Sequence, residues 1–251
     1  MIKKVVALML AAVCAAGVLA GCGKKEEAGG IKFGTNAEFP PFEFIGSDGI
    51  IGEYDGIDIA IAQKIGEEVG MEVSMENMEF DSLLVALQNK QVDAVIAAMT
   101  VTDERKESVN FSTPYYQATQ VMIVPEDSDI TCAADMEGKN IAVVQGFTGD
   151  TCVQDLGFDR TAFKKGTECI MELVNGKCDV VVIDSATAEK YVSDNEGLKI
   201  VEDPSVFEGE EYAIAVNKEN TELLETINKA IEKMLEDGTI SSIAAEYTEA
   251  E

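Results

Sequence analysis

The stretch Ala98–Tyr116, AMTVTDERKESVNFSTPYY, begins where the apolar run Val92–Ala97 ends. Apart from Asp93 that run is apolar throughout, as expected of a strand covered on both faces. The residues after it carry a helix start, with Thr102 as cap, Asp103 and Glu104 in the first turn and Arg105 next. Thr100 and Arg105 therefore meet where a strand tip joins a helix start. Of the 19 basic residues only Arg105 and Arg160 are arginines. A guanidinium offers a planar fork that a carboxylate meets with two parallel hydrogen bonds, a geometry that lysine lacks. Arg105 with Thr100 is thus a candidate carboxylate clamp, and the plain alternative is an arginine exposed on a helix surface.

Outward from this stretch, short β-prone runs alternate with helical patterns. Ile31–Thr35 reads as a strand, Ile57, Ile61, Ile65 and Val69 recur at helical spacing before Gly70, and Glu72–Met78 is strand-like. Asp81 stands where a cap belongs for a helix carrying Leu83, Leu84 and Leu87. This alternation, closed by Val92–Ala97, predicts a right-handed parallel α/β unit. The rhythm returns after Gln120 with a strand at Ile141–Val144, a helix at Thr148–Leu156 and a weak strand at Ala162–Lys164. A helix at Glu168–Val174, a strand at Val180–Ile183 and a helix from Ser185 to about Val192 follow. A last helix has Asn220 or Thr221 as cap, an apolar stripe from Leu223 to Leu235 and Gly238 as its stop.

Two α/β units in series are joined by Gln117–Val124 and rejoined by Tyr212–Val216, both β-prone and without the Gly/Ser composition of a loose linker. The expected fold class is α/β, with two α/β lobes joined by a two-strand hinge. Lobe 1 is expected from 31–116 plus 214–251 and lobe 2 from 117–213. Two crossings make a hinge that closes on a small ligand.

Ahead of the first lobe stand Lys3 and Lys4, an apolar run Val5–Leu19 and then Leu19-Ala20-Gly21-Cys22. This pattern predicts an export signal peptide over 1–21 rather than a membrane span. Its ending looks like a bacterial lipobox, so Cys22 is expected to carry lipid and anchor the chain to the membrane. Residues 22–30 read as a flexible tether. The formal charge is −28, and without residues 1–21 it is 17 − 47 = −30. Such a balance argues against nucleic acid and against adsorption to anionic lipid. Histidine is absent, and the gaps between Cys132, Cys152, Cys169 and Cys178 do not resemble a zinc pattern, so neither a metal nor a cofactor is expected. Disulfides and free buried thiols both remain open for these cysteines.

Five segments in order resemble one family. They are GTNAEFPPFEF (Gly34–Phe44), EYDGIDIAIAQKIGEEVG (Glu53–Gly70), the run from Met78 to Tyr116, VVQGFTGDT (Val143–Thr151) and VVVIDS (Val180–Ser185). With the lipobox ahead, the mature chain resembles the bacterial extracellular solute-binding proteins of family 3. These are lipoproteins of type II periplasmic-binding-protein fold that deliver polar amino acids to an ABC importer. Two positions depart from the family pattern. Ala60 replaces a second acid two residues after Asp58, and Ala98 stands where glycine or serine is common.

Carried over to this chain, the resemblance implies that Arg105 grips the ligand α-carboxylate. Thr100 and the backbone N–H groups near Thr148 and Gly149 assist it, at a helix start where free donors favour an anion. Asp184 takes the α-ammonium together with the Ala98 carbonyl, with Met99 alongside, and Phe39 and Phe80 sandwich the side chain. Asn36, Glu38 and Gln145 contribute the polar side-chain contacts. No lysine or arginine falls among these positions, so a polar neutral or basic amino acid is expected and an acidic one is not. Asp58 is expected to be a core-edge acid rather than an orienting partner for the pocket. The implied partners are the amino acid, the ABC permease and, through Cys22, the membrane, with the chain itself a monomer outside the cytoplasm. The alternatives are an enzyme on the same scaffold, dehydratase-like or peptidoglycan-cleaving, and a surface sensor or adhesin.

Overall fold

The structure is a computed structural model that describes residues 29–248, so Cys22, the expected signal peptide and residues 22–28 of the tether lie outside the described residues. Its first sheet begins with β1 (Ile31–Thr35); β2 (Glu38–Phe39), β3 (Glu43–Ile45) and β4 (Tyr54–Asp55) then form a small antiparallel sheet of their own, and β1 lies between the parallel strands β5 (Val73–Asn77) and β6 (Ala94–Val95). Strand β14 (Ala215–Asn217) pairs antiparallel with β6 and with β7 (Val109–Phe111), so residues near the C-terminus complete the sheet begun at the N-terminus. Helix α1 (Ile57–Val69) buries Ile57, Ile61 and Ile65 and ends at Gly70, whose φ of 70° is the left-handed conformation that stops a helix. Helix α2 (Phe80–Gln88) buries Leu83 and Leu87.

Two local expectations are corrected here. Asp81 does not cap α2: Glu79 holds the cap position, and Asp81 lies inside the first turn, where a carboxylate still favours the helix dipole. The run Val92–Ala97 yields only the two-residue strand β6. Asp93 turns to solvent and its carboxylate accepts from the Lys32 N–H at 2.9 Å, while Ala98 takes φ +43° and ends the extended path.

The second sheet has the order β10-β9-β11-β8-β12. Strands β9 (Ile141–Val144), β10 (Arg160–Phe163) and β11 (Val180–Asp184) are parallel, β8 (Tyr116–Pro125) runs against them, and β12 (Leu198–Val201), antiparallel to β8, runs in their direction. Helices α4 (Thr148–Asp155), α5 (Gly166–Val174) and α6 (Ser185–Asp194) connect or follow these strands. The all-buried β9 and β11 explain why both read as unbroken apolar runs. Helix α7 (Thr221–Glu236) is capped by the Asn220 side chain, which accepts from the Leu223 N–H. After Gly238 a further helix, α8 (Thr239–Thr248), buries Ile240 and Ile243.

The two sheets build two lobes, and the chain crosses between them twice. Strand β13 (Gly209–Tyr212) pairs with β8 from Gly209↔Thr119 to Tyr212↔Tyr116. It is also stitched to the first lobe, because Val101 N–H donates to Glu211 O at 2.8 Å and Ala213 N–H to Met99 O at 3.1 Å. The hinge strand therefore lies alongside Met99–Val101. The carboxyl ends of β6, β9 and β11 face one another between the lobes, the usual place for a ligand in open α/β sheets. Among the described residues no helix is long and apolar enough to cross a membrane.

Candidate ligand-binding cleft

Helix α3 (Asp103–Ser108) starts as its sequence indicates, with the Thr102 hydroxyl accepting from the Arg105 N–H at 3.2 Å. That cap sets Arg105 in the first turn and points its side chain across the cleft. Its Nη1 donates to Thr100 O at 2.7 Å and its Nη2 to Gly146 O of the other lobe at 3.1 Å. The guanidinium carbon lies 5.2 Å from the centre of the Phe80 ring, within cation–π range. Burial lowers the Arg105 pKa and the carboxylates of Glu210 and Asp184 oppose it, so the group stays cationic. Arg160 has a different position: its guanidinium pairs with Asp150 and Gln154 within lobe 2.

Asp184 lies at the end of β11, buried at 3 % exposure, on the lobe opposite Arg105. It occupies the cap position of α6 without bonding the helix; its Oδ1 instead accepts from the Tyr212 hydroxyl at 2.5 Å. Burial, with Glu210 nearby, pushes its pKa up to about 7. Glu210 was not legible in advance. Its Oε2 accepts from the Thr100 hydroxyl and the Thr148 hydroxyl, both at 2.8 Å, and from Gln120 Nε2 at 3.4 Å. One signal did exist: Gln120 is the polar residue directly before the apolar second half of β8, and in the fold it is buried beside this carboxylate.

Ala98 has a conformation that a residue with a β-carbon rarely adopts, at φ +43°. A buried carboxylate holds it there. Asp58 Oδ2 accepts from the Ala98 N–H at 2.7 Å and from the Tyr115 hydroxyl at 2.9 Å. Asp58 is fully buried, which corrects its reading as a core-edge acid: it orients the strand tip. Glu43 lies beside it, also buried, and burial followed by the Asp58 charge drives its pKa well up. Glu43 Oε2 and Asp58 Oδ1 lack any other partner, and one carboxyl proton held between them satisfies both.

Phe39, Phe80, Ala98, Thr100, Arg105, Thr148 and Asp184 line one interlobe cavity, so seven of the expected residues do come together. An eighth lining residue, Phe147, was not expected. The space they enclose is only about 10 Å³. Met99 is buried beside it and lines an open groove of about 500 Å³ on the outer side of Arg105. Gly149 packs where a β-carbon would come 3.0 Å from the Val182 carbonyl oxygen of β11 and 2.7 Å from Gln120 Oε1, so glycine there lets the start of α4 sit close against β11.

Besides Met99 and Gly149, three more expected residues do not line that cavity. Asn36 Nδ2 turns to Met78 O at 2.9 Å and ties β1 to the loop after β5. Glu38 is joined to Lys165 of the other lobe at 2.6 Å. Gln145 donates to Asp81 at 3.2 Å, and Lys164 joins the same carboxylate at 3.0 Å. The side-chain positions themselves carry no lysine, but the turn between β10 and α5 brings Lys164 and Lys165 to the lip of the cleft. They escaped notice because neither belongs to a segment that carries the family resemblance.

The four described cysteines are free thiols, and among the described residues no cluster could hold a metal ion. Residues 31–250 match the model of the bacterial extracellular solute-binding proteins, family 3. A probable histidine-binding protein of Neisseria gonorrhoeae is 34% identical over 98% of this chain and 95% of its own. The arginine-binding extracellular protein ArtP of Bacillus subtilis is 30% identical over 96% of each chain. Among solved structures, the arginine-, lysine-, histidine-binding protein ArtJ of Geobacillus stearothermophilus superposes with a TM-score of 0.82. It is 34% identical and covers 88% of this chain and 96% of its own. The interlobe cavity, the hinge and these likenesses lead to one conclusion: the chain belongs to the bacterial extracellular solute-binding proteins, family 3, and is an extracytoplasmic binding protein, not an enzyme.

Proposed function

We propose that the protein is a receptor for a polar or basic L-amino acid, held as a zwitterion between the lobes and passed to the permease of an ABC importer. The observation that carries the reading is the placement of Arg105 and Asp184 on opposite lobes with one cavity between them. The α-carboxylate goes to Arg105, the Thr100 and Thr148 hydroxyls and the N–H groups opening α4. The α-ammonium goes to Asp184 and the Ala98 carbonyl. Only the closed form makes both contacts, so ligand binding favours closure. Relatives named for arginine, lysine and histidine favour a basic side chain. Lobe 1 comprises 31–116 plus 214–251 and lobe 2 comprises 117–213. Lipid on Cys22 tethers the monomer to the membrane.

Glu210 makes this reading sharper. Each threonine hydroxyl has one proton to donate. Thr100 and Thr148 spend theirs on Glu210, so a ligand carboxylate competes with Glu210 for both. The test is calorimetric titration of the purified protein and its Glu210→Gln variant with the twenty amino acids. A basic or polar amino acid should bind the wild type at about −8 kcal/mol, the micromolar level. Removing the competing charge should tighten binding about tenfold, the equivalent of one net hydrogen bond. Absence of binding by any amino acid, or glutamate binding tightest, would contradict the proposal.

A further inference from the structure

We propose that Phe147 determines specificity in this cleft: its ring fills the side-chain compartment and limits the length of side chain that can enter. The inference rests on the amino-acid-binding reading above. The Phe147 ring stands edge-on to Phe39, with centroids 5.1 Å apart, and tilted against Phe80 at 4.5 Å. Phe39 and Phe80 are the two rings expected to hold a ligand side chain between them, and here a third ring from the other lobe has that place. It is 8 % exposed, and the cavity left beside it, about 10 Å³, is at the lower limit for a single water.

The backbone of Phe147 is fixed. Its N–H donates to Val144 O at 3.2 Å, and its carbonyl accepts from Asp150 N–H at 3.1 Å and Thr151 N–H at 3.3 Å, as the cap residue of α4. On either side, Gly146 O is held by Arg105 and the Thr148 hydroxyl by Glu210. The compartment therefore enlarges by rotation of the ring out of its slot or by parting of the lobes. Rotation gives up the packing against both neighbouring rings. A long, flat cation such as the arginine side chain reaches the slot and bears that loss, whereas a short polar side chain such as that of serine stops before it.

Phe147→Thr is a suitable probe, because threonine serves well at a helix cap and so spares the start of α4. Wild type, Phe147→Thr and Phe147→Leu are titrated with arginine and with serine by calorimetry, with melting temperatures recorded beside them. Phe147→Thr should shift the affinity ratio towards arginine by tenfold or more, the order of effect expected from refitting an apolar pocket. Phe147→Leu, which keeps most of the bulk, should shift it less; if Phe147→Thr melts early, the leucine variant decides by the direction of its shift. An unchanged ratio in a normally folded variant would overturn the inference. So would a fall in arginine affinity, which would make the ring a wall of the cation's pocket. In both cases amino-acid binding itself persists, whereas loss of all amino-acid binding in the wild type would instead remove the reading on which the inference rests.

Discussion

Arg105→Ala is expected to lower amino-acid affinity by at least about a hundredfold, since two charge-assisted hydrogen bonds of about 1.5–3 kcal/mol each disappear. The effect should fall on every amino acid alike, because the contact is with the α-carboxylate. Arg105→Lys should recover only part of the loss: it restores the charge without the planar fork. The arginine also ties Thr100 O to Gly146 O across the cleft, so the alanine variant should close less readily even without ligand. Calorimetry gives the affinities. An Arg105→Ala protein that binds within threefold of wild type would place the carboxylate elsewhere.

The second large effect concerns stability. Asp58→Ala leaves the Ala98 N–H and the Tyr115 hydroxyl without their buried partner. Two unsatisfied buried groups cost about 2–4 kcal/mol together. For a chain of this size that is a fall of roughly 5–15 °C in melting temperature. Ala98 also loses the bond that holds it at φ +43°, so ligand affinity should fall with stability. Asp58→Asn keeps an acceptor for both donors and should cost far less.

The asparagine variant also reports on the buried proton. Burial raises the pKa of both Glu43 and Asp58, so between about pH 4 and neutrality the folded chain keeps protons that the unfolded chain has released. The unfolded state gains by releasing them, and stability contributed by this pair is greatest in acid and declines as pH rises through that window. Asp58→Asn removes one of the two carboxyls and should flatten the decline. Thermal melts across pH 4–8 measure it. An Asp58→Ala protein that melts within about 2 °C of wild type would contradict the account of this network.

The lobes were legible because their cores are local patterns. Ile57, Ile61 and Ile65 mark one helix face, and Val180–Ile183 can only be a covered strand. Helix α8 escaped because it buries only Ile240 and Ile243 and follows the stop signal at Gly238. The clamp was legible for a related reason: Thr100, Arg105, Thr148 and Asp184 sit at strand ends or helix starts, positions that the local sequence marks. The partners that tune it carry no local mark. Thr100 and Glu210 are 110 residues apart, Asp58 and Ala98 are 40 apart, and Lys165 and Glu38 are 127 apart. Those contacts depend on the chain returning through the hinge and on the lobes meeting, which a pattern of residue types does not encode.

The central claim is that one amino acid is held by both of its α-groups, between Arg105 and Asp184. The most direct measurement is calorimetric titration at pH 7 of the purified protein with its best-binding amino acid, the corresponding decarboxylated amine and the corresponding deaminated acid. The account predicts binding of the amino acid alone, with each analogue weaker by about a hundredfold or more, the equivalent of two lost charge-assisted contacts. Either analogue binding within tenfold of the amino acid would contradict it.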